Sequence, residues 1–174
     1  MEQAAADLAI VVFVSTAAWW DFRTQRIPNT ITIAGLAVAL ILRAPLGVDA
    51  LMHGLAGVCI TLLVSLALYA LRAIGGGDVK LLAGIGAFIG SSEIIGAMGL
   101  MAVLGAAFAL LSVIRRGLLP LLIFNTLDLV KSWRSLGQAG QARKLETPGA
   151  LTIPYGIPIA LGTLIWWFGR GVRL

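Results

Sequence analysis

The sequence predicts an all-α, polytopic membrane protein with about six transmembrane helices. Of its 174 residues, 59% are hydrophobic and 12% are charged, whereas about a quarter of the residues in a soluble domain are charged. The mean hydropathy is +0.97. A water-soluble fold of this length would need a polar shell that so few polar residues cannot build. The bilayer is therefore the expected solvent of this chain.

Six apolar stretches are predicted to cross the membrane, because about 20 apolar residues span a bilayer. They lie near residues 4–20, 30–44, 51–71, 77–92, 94–114 and 151–169. The start, MEQAAAD, lacks the basic region of a signal peptide, and no Ala-x-Ala site follows, so we expect a permanent first helix. The fourth stretch is short, and a helix that includes Asp78 would place a carboxylate near the headgroups, where such groups mark functional sites.

Basic residues predict the orientation. With the N-terminus outside, ten Lys and Arg residues face the cytoplasm and three, Arg43, Arg170 and Arg173, face outward, as the positive-inside rule favours. The net charge of +5 then reports topology, and no nucleic acid partner is expected. The acidic residues on the outer side are expected to be solvated loop residues; they are Glu2, Asp7, Asp49 and Glu93.

The chain is expected to form a single membrane-embedded domain over residues 1–174. Asn125, Asp128 and Lys131 recur every three residues among apolar neighbours, which predicts an interfacial helix in the 117–135 region, followed by a polar cytoplasmic loop. The single cysteine, Cys59, excludes a disulfide framework and a four-cysteine zinc site. No metal or cofactor is expected.

The first candidate motif is WWDFRTQRIPN, where Asp21 follows the first span and Pro28 opens the second. Proline holds the chain in a rigid, extended entrance to a helix. By itself the segment is also compatible with an ordinary membrane exit, in which the tryptophans anchor at the interface and the arginines contact lipid phosphates.

The second candidate motif is GGGDVK, residues 75–80, at the start of the short fourth span. Glycine allows close backbone approach and positive φ values. An alternative is a flexible turn whose Asp78 caps the following helix. A phosphate-binding loop is a poorer interpretation, because the Gly-Lys-Ser/Thr ending of that motif is missing.

The two motifs together are more informative, since both aspartates are expected on the cytoplasmic face, where helix packing can bring them together. Two adjacent, partly desolvated carboxylates share one proton and titrate as a unit. The charged member can then take a proton from water while the protonated member polarises a carbonyl. This is the chemistry of an aspartic peptidase.

At these residues the sequence resembles the type IV prepilin peptidases. Asp21 before Ile27-Pro28-Asn29 and the Gly75-x-Gly77-Asp78 motif match the two aspartate motifs of that family, and Ile153-Pro154-Tyr155-Gly156 is a weaker match. The resemblance implies that Asp21 and Asp78 are catalytic. It implies an active-site loop that contains Gly75, Gly77, Pro28 and Asn29.

The resemblance further implies an enzyme of the bacterial inner membrane that cuts a short basic leader from prepilins or pseudopilins on the cytoplasmic side. The pilus assembly machinery and the lipid bilayer are its other expected partners. Only nine residues separate Trp20 from Thr30, so we expect no N-methyltransferase domain. The chain looks like the short enzymes of tight-adherence (Flp) pilus systems.

Two alternatives stay open from the sequence. One is a non-enzymatic transporter or assembly subunit in which the aspartates bind ions or fix topology. The other is an intramembrane protease of the signal-peptide-peptidase kind, which also uses a G-x-G-D motif. Lys80, Arg23 and Asp128 are left outside the catalytic set.

Overall fold

The computed structural model describes residues 2–71, 73–115, 117, 155–172 and 174. Six α-helices and one 3₁₀ turn make up the regular structure of this part of the chain, and it contains no strand. The helices are α1 (Glu2–Thr24), α2 (Asn29–Arg43), α3 (Val48–Ala70), α4 (Gly76–Ile89), α5 (Ile94–Arg115) and α6 (Gly156–Arg170), with the 3₁₀ turn at Ala44–Leu46. The all-α prediction is confirmed.

Each of the six predicted spans coincides with a helix. Four stretches within the described residues are long and apolar enough to cross a membrane, namely Gln3–Thr24, Asn29–Leu46, Val48–Ala70 and Ile94–Arg115. The helix α4 has 14 residues, or about 21 Å at the usual rise of an α-helix, less than the hydrocarbon core of about 30 Å. Six crossings therefore stay a prediction.

The chain divides into two compact units. The first contains Met1–Gly105 and Pro154–Leu174, and the second contains Ala106–Ile153. Helix α5 runs from the first unit into the second, where the described residues are its last turns and Gly117. The predicted interfacial helix and polar loop lie, beyond Gly117, outside the described residues.

Within the first unit, α4 is the central helix. Its residues from Asp78 to Ile89 are buried except for Lys80, and it packs against α1, α2 and α3. Small residues allow these close contacts: a Cβ atom on Gly86 would lie 2.6 Å from the carbonyl oxygen of Gly57, and one on Gly84 would lie 2.6 Å from the Phe13 ring. Most of α4 is therefore surrounded by protein, whereas the longer apolar helices expose many apolar side chains on the outside of the bundle.

Arg43 stabilises the C-terminal end of α4. Its side chain is 3% exposed and donates to the carbonyl oxygens of Ala87 at 2.7 Å and Phe88 at 2.9 Å, and to that of Ala50 at 3.0 Å. The last carbonyls of a helix lack partners within the helix and carry partial negative charge, so a guanidinium is well suited to them. Arg43 is a buried cap.

Asp7 joins the N-terminal part of α1 to α6. Its Oδ1 accepts hydrogen bonds from the indole Nε1–H of Trp167 at 2.8 Å and from the amide of Gln3 at 3.0 Å. The expectation that Asp7 is a solvated loop residue is therefore wrong, because the carboxylate lies within a helix and satisfies an otherwise buried indole N–H. The hydrogen bond from Trp167 to Asp7 therefore joins the N-terminal and C-terminal helices of the first unit.

Candidate active site

Asp21 lies in the last turns of α1. The helix continues past it to Thr24, and Gln25, with φ of 53°, ends it by donating its backbone N–H to the Asp21 carbonyl oxygen at 2.8 Å. The Asp21 side chain is 7% exposed, and its Oδ2 accepts the backbone N–H of Gly156 at 2.8 Å. Gly156 is the first residue of α6, where backbone N–H groups lack helical partners and favour a negative charge.

Asp78 lies in the first turn of α4 and is 8% exposed. Its Oδ2 accepts the backbone N–H of Gly75 at 3.0 Å. This is one half of a capping box; glycine has no side chain to supply the other half. The capping interpretation is thus correct, and it uses one carboxylate oxygen. Among the described residues, no donor reaches the Oδ1 atom of either aspartate.

The two aspartates line one cavity of about 360 Å³. The connection between α1 and α2 forms one side of it, and the glycine segment with the first turn of α4 forms the other. Its lining residues are Asp21, Gln25, Arg26, Ile27, Gly75, Gly76, Gly77, Asp78 and Lys80. Residues 57 positions apart in sequence therefore meet at a space large enough for a segment of extended peptide and water.

The pKa of Asp78 is raised from its ordinary value of 3.8 to about 6. Burial is the main cause; the hydrogen bond from Gly75 opposes it, and the negative charge of Asp21 raises the value further. A carboxyl group in this range holds or releases its proton near neutral pH, as a general acid must. The effect of the Asp21 charge on the pKa of Asp78 is consistent with the two carboxyl groups lining one cavity.

The glycine segment, residues 75–77, lets neighbouring groups approach the backbone closely. A Cβ atom on Gly75 would lie 3.3 Å from Asp78 Oδ2, and one on Gly77 would lie 3.5 Å from the side chain and backbone nitrogen of Ile27. Gly75 has φ of −83°, and none of the three glycines uses the positive φ region. The predicted close approach of backbone at this segment is confirmed, and the positive φ values that glycine allows are not used.

Pro28 and Asn29 lie beside the cavity without lining it. Pro28, with φ of −61° and ψ of 140°, is the extended residue that opens α2, as predicted. Asn29 begins the helix, and its Oδ1 accepts a hydrogen bond from the Lys80 ammonium group at 2.7 Å. Lys80 itself lines the cavity.

Arg23 is directed elsewhere, since its guanidinium lies 4.6 Å from the centre of the Trp19 ring. Gly156, whose N–H holds Asp21, is a site residue that the sequence did not predict. The only signal for it was the weak match at residues 153–156. Lys80, which from the sequence is equally well explained by contact with lipid phosphates, instead bonds to Asn29, 51 residues away.

Comparison with known proteins adds one match. A family model described as "Type IV leader peptidase family" matches residues 8–110, more than half of the chain. The matched range contains Asp21, the Ile27-Pro28-Asn29 segment and the glycine segment with Asp78. No curated protein and no solved structure matches the chain.

Proposed function

The chain belongs to the type IV leader peptidase family, and from this premise we propose that it is an aspartic endopeptidase whose catalytic residues are Asp21 and Asp78. Its substrates are prepilins or pseudopilins, from which it removes a short basic leader. The observation that carries this proposal is the single cavity lined by both carboxylates. Two interacting carboxyl groups beside an open space are the arrangement that acid–base hydrolysis of a peptide bond requires.

We assign the shared proton to Asp78. Burial and the charge of Asp21 both favour its protonated form. Each carboxylate accepts one backbone N–H at the start of a helix, so those hydrogen bonds do not distinguish the two. Asp21 is then the base and Asp78 the acid at the beginning of the reaction. The Oδ1 atoms are the oxygens that contact water and substrate.

The reaction follows from these roles. Asp21 takes a proton from a water molecule, the water oxygen bonds to the scissile carbonyl carbon, and Asp78 donates its proton to the carbonyl oxygen. The tetrahedral intermediate collapses when the C–N bond breaks and the leaving nitrogen takes the proton from Asp21. The intermediate's hydroxyl returns a proton to Asp78, leaving a carboxylic acid, an amine and the original dyad.

The proposed site faces the cytoplasm in the inner membrane, with the N-terminus outside. Arg23, Arg26 and Lys80 all belong to the excess of basic residues on that side, which supports the orientation. Since the connection between α1 and α2 spans only a few residues, we propose cleavage without N-methylation, as in the short tight-adherence (Flp) enzymes. The assembly machinery of the pilus is the proposed recipient of the product.

The test is cleavage by purified protein in liposomes of a precursor with a basic leader followed by an apolar helix. Mass spectrometry of the products locates the cut. A cut at the leader junction supports the proposal. A cut inside the apolar helix favours a protease of the signal-peptide-peptidase kind, and no cut of any precursor favours a non-enzymatic membrane component.

A further inference from the structure

Two contacts join the connection between α1 and α2 to the first turn of α4. Ile27, which is 7% exposed, packs against Gly77. Three residues after Gly77, the Lys80 ammonium group donates to Asn29 Oδ1 at 2.7 Å. Each contact pairs one residue of the first motif with one residue of the second. The two motifs are therefore held to one another next to the cavity.

The aspartates themselves are held by other partners. Asp21 is fixed by Gly156 of α6, and Asp78 is fixed by Gly75 of its own turn. Among the described residues, no hydrogen bond joins Asp21 to Asp78 directly. Their separation consequently depends on how α1, α2 and the connection between them pack against α4. The two contacts described above lie at the point of that packing beside the cavity.

Lys80 does not act on Asp78 through their own helix. Residues two positions apart point to different faces of an α-helix, and the Lys80 ammonium group bonds to Asn29. This hydrogen bond is short and charge-assisted, and it lies at the exposed surface, where water competes with it. The acceptor of this hydrogen bond, Asn29, is the first residue of α2.

We propose that Lys80 and Asn29 form a positioning pair that sets the separation of Asp21 and Asp78. This inference rests on the proposed function, because it assigns the pair a role in aspartate-catalysed cleavage. Neither residue needs to touch the reacting atoms. Loss of the hydrogen bond lets the α1–α2 connection move away from α4, and the shared proton and the attacking water are then misplaced. A displacement of about 1 Å can reduce a rate by about a hundredfold.

The test is a double-mutant cycle with Lys80→Met, Asn29→Leu and the combined variant, assayed for leader cleavage under steady-state conditions in liposomes. We expect each single variant to lower kcat about tenfold or more, with KM changed less than twofold. We expect the combined variant to be no slower than the worse single variant, since the two changes remove one interaction. Asn29→Asp keeps the acceptor oxygen, so it should retain kcat within about twofold. This conservative variant also keeps the inference testable if one of the larger substitutions prevents folding.

Arg23→Met is the matched control, because it removes a cation from the same face at a residue that does not line the cavity. It should leave kcat unchanged. The inference is overturned if Lys80→Met keeps the wild-type kcat, if the losses of the single variants multiply in the combined variant, or if they appear in KM alone. The proposed function fails separately, when the wild-type protein itself does not cut the precursor.

Discussion

The carboxylate of Asp21 accepts a hydrogen bond at 2.8 Å from the backbone N–H of Gly156, a residue 135 positions later in the chain. The bond places the proposed base of the reaction at the N-terminus of α6. It also brings the last described helix into a site whose motifs lie in the first 80 residues. The orientation of Asp21 thus depends on the packing of α1 against α6.

Gly156→Ala should abolish most of the activity. A Cβ atom at this position would lie 2.9 Å from both Cβ and Oδ2 of Asp21, so the carboxylate or the start of α6 must shift, and overpacking of this kind costs about 1–3 kcal/mol of stability. We expect cleavage to fall about a hundredfold, measured as kcat in liposomes.

Gly169→Ala, in the same helix, is the control for this change. A Cβ atom there has no neighbour within 4 Å, so activity and stability should match those of the wild type. Equal rates for Gly156→Ala and Gly169→Ala would show that Asp21 does not depend on Gly156.

Asp78→Asn should make the protein more stable at high pH while removing its activity. The pKa of Asp78 is about 6 in the folded protein and 3.8 ordinarily, so the native state binds more protons than the unfolded state between these values. Stability of the wild type therefore falls as pH rises from about 4 to about 6 and is level above. The neutral amide avoids this loss, which is on the order of 2–3 kcal/mol.

The measurement is thermal unfolding of both proteins in detergent from pH 4 to pH 8. The variant should melt higher at pH 8, and the difference should vanish near pH 4. A difference in melting temperature that is independent of pH would mean that the surroundings of Asp78 do not raise its pKa.

The sequence predicts the helices of this protein well, because the length and apolar character of a span are local properties. The alternation of spans also predicts that Asp21 and Asp78 share a membrane face, and in the structure both line one cavity. The sequence does not predict which helix lies at the centre. The apolar residues of α4 contact other helices, while equally apolar residues such as Leu63, which is 75% exposed, lie on the outside of the bundle.

Partners distant in sequence account for the other differences. Arg43 looks like a loop residue on the outer side until α4 is packed against α2 and its final carbonyls come within reach. Asp7 looks solvated until Trp167 arrives beside it. A single sequence records the hydrogen-bonding capacity of these groups, and tertiary packing decides where that capacity is used.

Arg43→Met should destabilise the first unit strongly. The change leaves buried carbonyl oxygens of Ala87 and Phe88 without their donor, and a hydrogen bond to a charged group contributes about 1.5–3 kcal/mol. We expect a loss of about 3 kcal/mol or more in the free energy of unfolding, measured by thermal or chemical unfolding in detergent.

Arg170→Met is its control, since Arg170 is 61% exposed and pairs with Glu93 at 3.6 Å. An exposed ion pair contributes about 1 kcal/mol or less. Similar losses for the two arginines would contradict the role of Arg43 as a buried cap.

Gly86→Ala should weaken the packing of α3 against α4. The added methyl group would lie 2.6 Å from the Gly57 carbonyl oxygen and from Thr61 Oγ1, so the helices must separate at a cost of about 1–3 kcal/mol. Gly99→Ala, a helical glycine with no neighbour within 4 Å, should instead be neutral or stabilising by up to about 1 kcal/mol. If both variants changed the free energy of unfolding in the same direction, the close contact of Gly86 with α3 would be refuted.

The central claim is that Asp21 and Asp78 together catalyse the removal of a leader peptide. The most direct measurement compares wild-type protein with Asp21→Asn and Asp78→Asn on one precursor in liposomes, after confirming that all three proteins are folded. We expect each variant to cut at least about a thousandfold more slowly than the wild type, because loss of either carboxyl group removes the acid or the base. Cleavage by either variant at the wild-type rate would contradict the account.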